Sequence, residues 1–273
     1  MKKFIIIFSL FIVTSLNAQV IISPYIVYTD VSNRYGSMIV QNESTENYEI
    51  SISFIFGYPV SDSVGTVTMK YINDPSSDMP SIVNWIRAFP KKFVLTPKQR
   101  QIVRMSVRPP TGIEDGTYWA RIVTSAVPQT TSIDTVNKGV TAKIKFVLNQ
   151  VTSIFYRTDS AQTGIKINDV KVLKDSNKIT LRTSVERTSN PPFIGDVAYT
   201  LTDSLGNVVK EGKEYVAVYF DLVKNLTFEF DKQINPGKYQ AEIRFISNEK
   251  EDIPESKLKP LPPVTKTIEL EVN

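Results

Sequence analysis

The chain of 273 residues contains no cysteine and no histidine. Without cysteine it forms no disulfide, offers no thiolate nucleophile and lacks the thiolate ligands of structural zinc sites. Without histidine it lacks the usual general base and the central residue of serine hydrolase triads. Its 11 glycines are scattered as turn residues, so no glycine-rich loop is available to cradle a phosphate. We therefore predict a protein that is not an enzyme and that holds neither a cofactor nor a metal.

Long apolar runs are equally scarce. The run 4–13 follows two lysines and precedes the small residue Ala18, a pattern typical of a secretory signal peptide that is cut before Gln19. This run is shorter than the roughly 20 apolar residues that span a bilayer. We therefore expect residues 1–18 to be removed and the mature protein to be exported.

Neither sign of charge is in large excess. The formal net charge is +4, and removal of residues 1–18, which carry two lysines and no acid, lowers it to +2. The mature chain has no basic run with interleaved aromatic residues, which argues against nucleic acid as a partner. It also has no amphipathic helix pattern, so we expect no membrane insertion.

The mature chain consists of short runs rich in Val, Ile, Thr, Tyr and Phe, separated by clusters of Gly, Pro, Asn, Asp and Ser. This pattern predicts an all-β protein with two immunoglobulin-like β-sandwich domains after the cleaved signal peptide. The predicted organisation is a first domain at 19–158, a linker at 159–163 and a second domain at 164–273. Within it we expect one strand near 21–29 and two separate strands near 207–211 and 214–221.

Two local motifs support this architecture. The segment 113–122 matches 234–243 at Ile, Gly, Tyr, Ala and Ile in the same spacing, and this places Tyr118 and Tyr239 as tyrosine-corner residues whose hydroxyls bond back to the backbone. The sequence Asp203-Ser-Leu-Gly-Asn207 predicts a hairpin turn in the second domain, because Gly and Asn tolerate a positive φ.

The segment 138–157 predicts the strand with the clearest functional interest. Every second residue from Val140 to Leu148 is apolar, which is the period of a β-strand with two unlike faces. Two interpretations are open. The apolar face either packs into the core of its own domain or is presented to a partner.

The order of motifs around this strand bears on that choice. An Ala-Phe-Pro-Lys-Lys segment begins at 88, Asp-Gly-Thr-Tyr-Trp begins at 115, and the alternating strand closes on Ile-Phe-Tyr-Arg at 154–157. Over residues 20–158 this order resembles the N-terminal domain of the periplasmic pilus-assembly chaperones, the PapD-like family. The resemblance implies a periplasmic chaperone that donates a strand to an unfinished immunoglobulin-like subunit.

The resemblance also implies individual site residues. Counting back from the closing Phe-Tyr-Arg places the donor positions on Ile144, Phe146 and Leu148. The family's two basic anchors for the subunit's terminal carboxylate correspond here to Tyr25 and Ser153, which carry no charge. We therefore expect strand donation to rely on apolar burial rather than on a carboxylate anchor at these two positions.

The resulting functional hypothesis is a periplasmic chaperone-like protein that binds exported, pilus-type subunits with an incomplete β-sandwich through its 140–148 strand. In a self-capping dimer, the 140–148 strand of one copy would instead be covered by the same strand of a second copy. The alternative hypothesis is a non-catalytic structural or envelope-assembly protein with the same fold and no subunit-chaperone activity.

Overall fold

The computed structural model describes residues 19–129, 147–158, 162–247 and 261–272. The predicted signal peptide and residues 159–161 of the predicted linker lie outside these ranges, so both stay predictions. Ten strands form the first half: β1 (Val20–Ser23), β2 (Ile26–Asp30), β3 (Tyr35–Asn42), β4 (Tyr48–Ser61), β5 (Val67–Ile72), β6 (Ile86–Phe89), β7 (Lys92–Leu95), β8 (Arg100–Val107), β9 (Thr117–Pro128) and β10 (Leu148–Arg157).

The first half is a β-sandwich of two sheets. One sheet has the strand order β1-β3-β8-β6, and the other has the order β2-β10-β9-β4-β5, with β7 also paired to β4. Alternate residues of both sheets point inward and form one buried cluster, which includes Val40, Ile50, Val103, Ile122 and Ile154. The predicted immunoglobulin-like sandwich is therefore confirmed for this half.

The strand predicted near 21–29 is two strands in the structure. β1 pairs with β3 in the first sheet, whereas β2 pairs with β10 in the second. Pro24 lies between them. Proline has no N–H to donate and cannot continue a ladder, so the chain leaves one sheet there and enters the other.

The second half forms the other sandwich. Its strands are β11 (Ile165–Asp175), β12 (Lys178–Arg187), β13 (Phe193–Asp203), β14 (Val208–Val218), β15 (Asp221–Glu229), β16 (Gly237–Ile246) and β17 (Val264–Val272). They make a sheet β11-β12-β15 and a sheet β14-β13-β16-β17. The two strands predicted near 207–211 and 214–221 are one strand, because β14 follows β13 as the second arm of a hairpin, with a register shift at Thr202.

Both local motifs are confirmed. The hydroxyl of Tyr118 donates to the carbonyl of Glu114, and that of Tyr239 donates to the carbonyl of Asn235, each at 2.8 Å. The predicted hairpin turn closes with a hydrogen bond from the Asp203 amide to the Asn207 carbonyl. Only its glycine, Gly206, has a positive φ, of 84°.

Helical structure is nearly absent from the described ranges. A single 3₁₀ turn spans Val83–Trp85. Among the residues that the structure describes, no helix is long and apolar enough to cross a membrane.

Candidate functional site

The strand β10 has an edge that is only partly covered. It pairs antiparallel with β9 along its whole length, from Leu148 opposite Ala126 to Arg157 opposite Thr117. On its other side β2 pairs in parallel with residues 153–157 alone. Residues 148–152 therefore have a strand partner on one side only, as far as the described residues extend.

The direction of the backbone groups on this edge follows from one hydrogen bond. The amide of Ser153 donates to the carbonyl of Tyr25 at 3.0 Å, on the side away from β9. Backbone groups of successive residues in a strand point to opposite sides. The amides and carbonyls of Asn149 and Val151 therefore face the uncovered edge, whereas those of Gln150 and Thr152 face β9.

The side chains of this edge are substantially exposed. Val147, Leu148 and Val151 are 54%, 38% and 42% exposed. Gln150 lies beside them, and its side-chain amide donates to the carbonyl of Val20 at 2.7 Å. The sheet edge thus combines backbone groups that pair with no other described strand with apolar side chains that water can reach.

The structure describes only one of the three predicted donor residues. Ile144 and Phe146 lie outside the described residues, as does most of the predicted 140–148 strand. Leu148 is the first residue of β10 and lies at the uncovered edge. Its side chain is on the same face of the strand as Ile154 and Tyr156, which are buried between the two sheets. A role for these three residues in donation stays a prediction.

Side chains on the opposite face of β10 contact the second sandwich. Phe155 stacks on Tyr28 with ring centroids 5.2 Å apart, and it packs in a buried aromatic cluster with Phe56, Trp119 and Tyr219. Tyr219 comes from the segment between β14 and β15, so this cluster joins the two sandwiches. Burial raises the pKa of the Tyr219 hydroxyl, and the nearby cation Arg121 opposes that shift.

A cleft of about 290 Å³ opens beside this cluster, where the uncovered edge of β10 ends. Its base contains Ser153 and Phe155, one wall is formed by the β4–β5 hairpin, and the other wall comes from β14, β15 and the segment between them. Most of its lining is apolar, and the basic residues are Arg121 and Lys224. Lys224 is already paired, because its ammonium group lies 2.6 Å from the Glu214 carboxylate.

Arg121 is the other cation of the cleft. It lies directly opposite Ser153 across the β9–β10 ladder. Its Nε donates to the carbonyl of Gly57 at 2.9 Å, its Nη1 donates to the Ser153 hydroxyl, and its guanidinium carbon lies 5.0 Å from the centre of the Tyr219 ring. Within the described ranges it has no carboxylate partner.

The two positions that the resemblance assigns to carboxylate anchors do lie together, since the Ser153 amide bonds to the Tyr25 carbonyl. Neither side chain is charged. The positive charge at this place comes from Arg121 on the neighbouring strand, which the sequence analysis did not select. Only the register of β9 against β10 brings it to Ser153, and no local motif reveals that register.

Comparisons with known proteins find distant structural similarities only. No family model matches the chain, and no curated protein sequence is similar to it. Among solved structures, the YadV chaperone is 14% identical, with 93% of this chain and 100% of that chain covered and a TM-score of 0.45. The complex of the SafA pilin with the SafB chaperone from Salmonella enterica gives 16% identity, 91% and 96% coverage and a TM-score of 0.44. Similarity at this level assigns no partner to this chain.

Proposed function

We propose that this protein is a periplasmic chaperone-like protein, which holds an exported subunit by adding the uncovered edge of β10 to the subunit's incomplete sheet. The observation that carries this proposal is the one-sided pairing of residues 148–152. An added strand would bond to the outward amides and carbonyls of Asn149 and Val151. In such β-augmentation, main-chain hydrogen bonds supply affinity and alternate side chains supply register.

The apolar side chains at this edge support the same proposal. Long, exposed apolar edges tend to aggregate, and proteins usually protect them with charges or prolines. The edge 147–152 contains neither a charged residue nor a proline. Burying one large apolar side chain is worth about 1.5 to 3 kcal/mol, so Val147, Leu148 and Val151 offer a partner substantial binding energy.

We further propose that Arg121 binds the terminal carboxylate of the captured strand. A strand that pairs with residues 148–152 and continues past them reaches Ser153 and the cleft. Arg121 lies there without a carboxylate partner among the described residues, and the apolar walls around it strengthen a charge-assisted hydrogen bond. Although Tyr25 and Ser153 carry no charge, Arg121 therefore supplies a way of fixing the register of the partner strand.

Site-specific photo-crosslinking tests the proposal of strand addition. A photoreactive phenylalanine analogue at Asn149, which is exposed at the edge, should crosslink to one class of exported protein in the native host. The same analogue at Lys171, exposed on β11 of the second sandwich, serves as the matched control. Crosslinks at Lys171 and none at Asn149 would favour the structural or envelope-assembly alternative.

The role of Arg121 predicts a specific dependence on the partner's carboxylate. A peptide with the partner's C-terminal strand should bind about 10- to 100-fold more tightly as the free acid than as the amide, because a hydrogen bond to a charged group is worth about 1.5 to 3 kcal/mol. In Arg121→Gln the acid and the amide should bind alike. Calorimetric titration of both peptides checks this, and an unchanged preference for the acid in Arg121→Gln would exclude Arg121 as the anchor.

A further inference from the structure

The outer face of the sheet β1-β3-β8-β6 has an unusual combination of side chains. Inward residues of this sheet, such as Met38 and Val103, are buried, so the alternate residues point away from the core. Three arginines and three large apolar residues stand on that outer face. We call this set the arginine face, and it consists of Arg87, Arg100, Arg104, Ile39, Ile102 and Phe89.

These residues are neighbours through the register of the sheet. Ile39 lies directly opposite Ile102, and Phe89 lies directly opposite Arg104. Arg100 and Arg104 flank Ile102 at two residues on either side along β8, which places them on the same face. Ile39 is 36% exposed, Ile102 44% and Phe89 77%. The face is therefore an apolar centre bordered by cations, with an aromatic side chain projecting at one end.

The charge of this face is one-sided. The four strands of the sheet contain no Asp or Glu. The three arginines have no carboxylate partner among the described residues, and the exposed Lys91 follows in the turn between β6 and β7. Since the mature chain as a whole is nearly neutral, this concentration of cations is a property of the face and not of the composition.

We propose that the arginine face docks the protein peripherally onto an anionic phospholipid surface. Cations attract such a surface, and Lys and Arg contribute about equally. Phe89, which ends β6 opposite Arg104 and shortly before Lys91, has the amphipathic surroundings of a side chain that enters the headgroup layer while its neighbours remain with the phosphates. This inference does not depend on the proposed strand addition, which uses the other sheet.

Another anionic partner, single-stranded nucleic acid, fits the face less well. Single-stranded nucleic acid uses aromatic side chains as stacking platforms along a groove, whereas the centre of this face is the aliphatic pair Ile39 and Ile102. A lipid surface requires neither a shaped pocket nor aromatic stacking.

Sedimentation of the mature protein with vesicles tests the proposal. We expect binding to phosphatidylcholine vesicles that contain about 30% phosphatidylglycerol and none to pure phosphatidylcholine, with release at about 0.5 M salt as the charges are screened. The triple variant Arg87→Gln, Arg100→Gln, Arg104→Gln should lose roughly a hundredfold in vesicle affinity. Phe89→Ser, which leaves the charge unchanged, should bind more weakly than the wild type.

The matched control removes the same charge elsewhere. The variant Lys171→Gln, Lys232→Gln, Lys238→Gln changes three exposed cations of the second sandwich and should lose at most a fewfold. Equal losses in the two triple variants, with unchanged thermal unfolding of both, would show a response to net charge alone and overturn the proposal. The proposal would also be overturned if the wild-type protein did not bind anionic vesicles but bound polyglutamate or an oligonucleotide.

Discussion

Val151→Pro is expected to reduce partner capture at least tenfold while leaving the fold intact. The amide of Val151 faces the uncovered edge of β10, so a proline there removes a donor that only an added strand would use. Proline is tolerated on edge strands where its missing N–H faces solvent, and its neighbour Gln150 is already extended. Crosslinking from Asn149 measures the loss, and thermal unfolding should stay close to that of the wild type.

Two neighbouring substitutions make this test specific. Val151→Thr keeps the amide and the branched shape, so we expect it to capture the partner within a fewfold of the wild type. Thr152→Pro removes an amide that faces β9, and it should destabilise the first sandwich by about 1 to 3 kcal/mol, because a backbone carbonyl of β9 loses its donor. Normal capture by a folded Val151→Pro protein would mean that the edge does not pair with the partner.

Trp119→Ala is expected to lower the free energy of unfolding by about 3 to 5 kcal/mol. Trp119 is fully buried at the junction of the two sandwiches. Its ring lies 5.2 Å from that of Phe56 and 4.9 Å from that of Tyr219, and its indole N–H donates to the Gly57 carbonyl at 3.1 Å. Truncation leaves a large cavity and removes one of two side-chain donors to the Gly57 carbonyl, which keeps its hydrogen bond from Arg121.

Chemical denaturation measures this effect, and Phe89→Ala is the matched control. Phe89 is also aromatic, but it is 77% exposed, so its truncation should change the stability by less than about 0.5 kcal/mol. We further expect limited proteolysis to separate the two sandwiches more readily in Trp119→Ala, because the aromatic contact between them is lost. A Trp119→Ala protein as stable as Phe89→Ala would contradict the role of the aromatic cluster.

Features specified by a few neighbouring residues could be predicted from the sequence. The tyrosine corners at Tyr118 and Tyr239 follow from the spacing of a turn glycine and a tyrosine, and the hairpin at Asp203 follows from its own turn residues. The two-sandwich architecture follows from strand alternation repeated through both halves. The tyrosine corners and the hairpin depend on contacts between residues that are close along the chain, and the strand alternation is itself a local pattern.

Features that depend on register between distant strands could not be predicted. Arg121 and Ser153 are 32 positions apart, and only the ladder between β9 and β10 brings them into contact. The cations of the arginine face come from β6 and β8, so they form no basic run in the sequence. Pro24 is evident in the sequence, but the change of sheet that it causes is not. The sheet that β2 joins is built mainly from strands that come later in the chain.

Amide hydrogen exchange at Val151 and Thr152 tests the uncovered edge most directly. In the dilute, monomeric mature protein we predict that the Val151 amide exchanges at nearly the rate of an unstructured peptide, whereas the Thr152 amide, which faces β9, is strongly protected. Binding of the partner should protect Val151 and leave Thr152 unchanged. A Val151 amide that is already protected in the isolated monomer would show that the chain covers this edge itself, and it would contradict strand addition at β10.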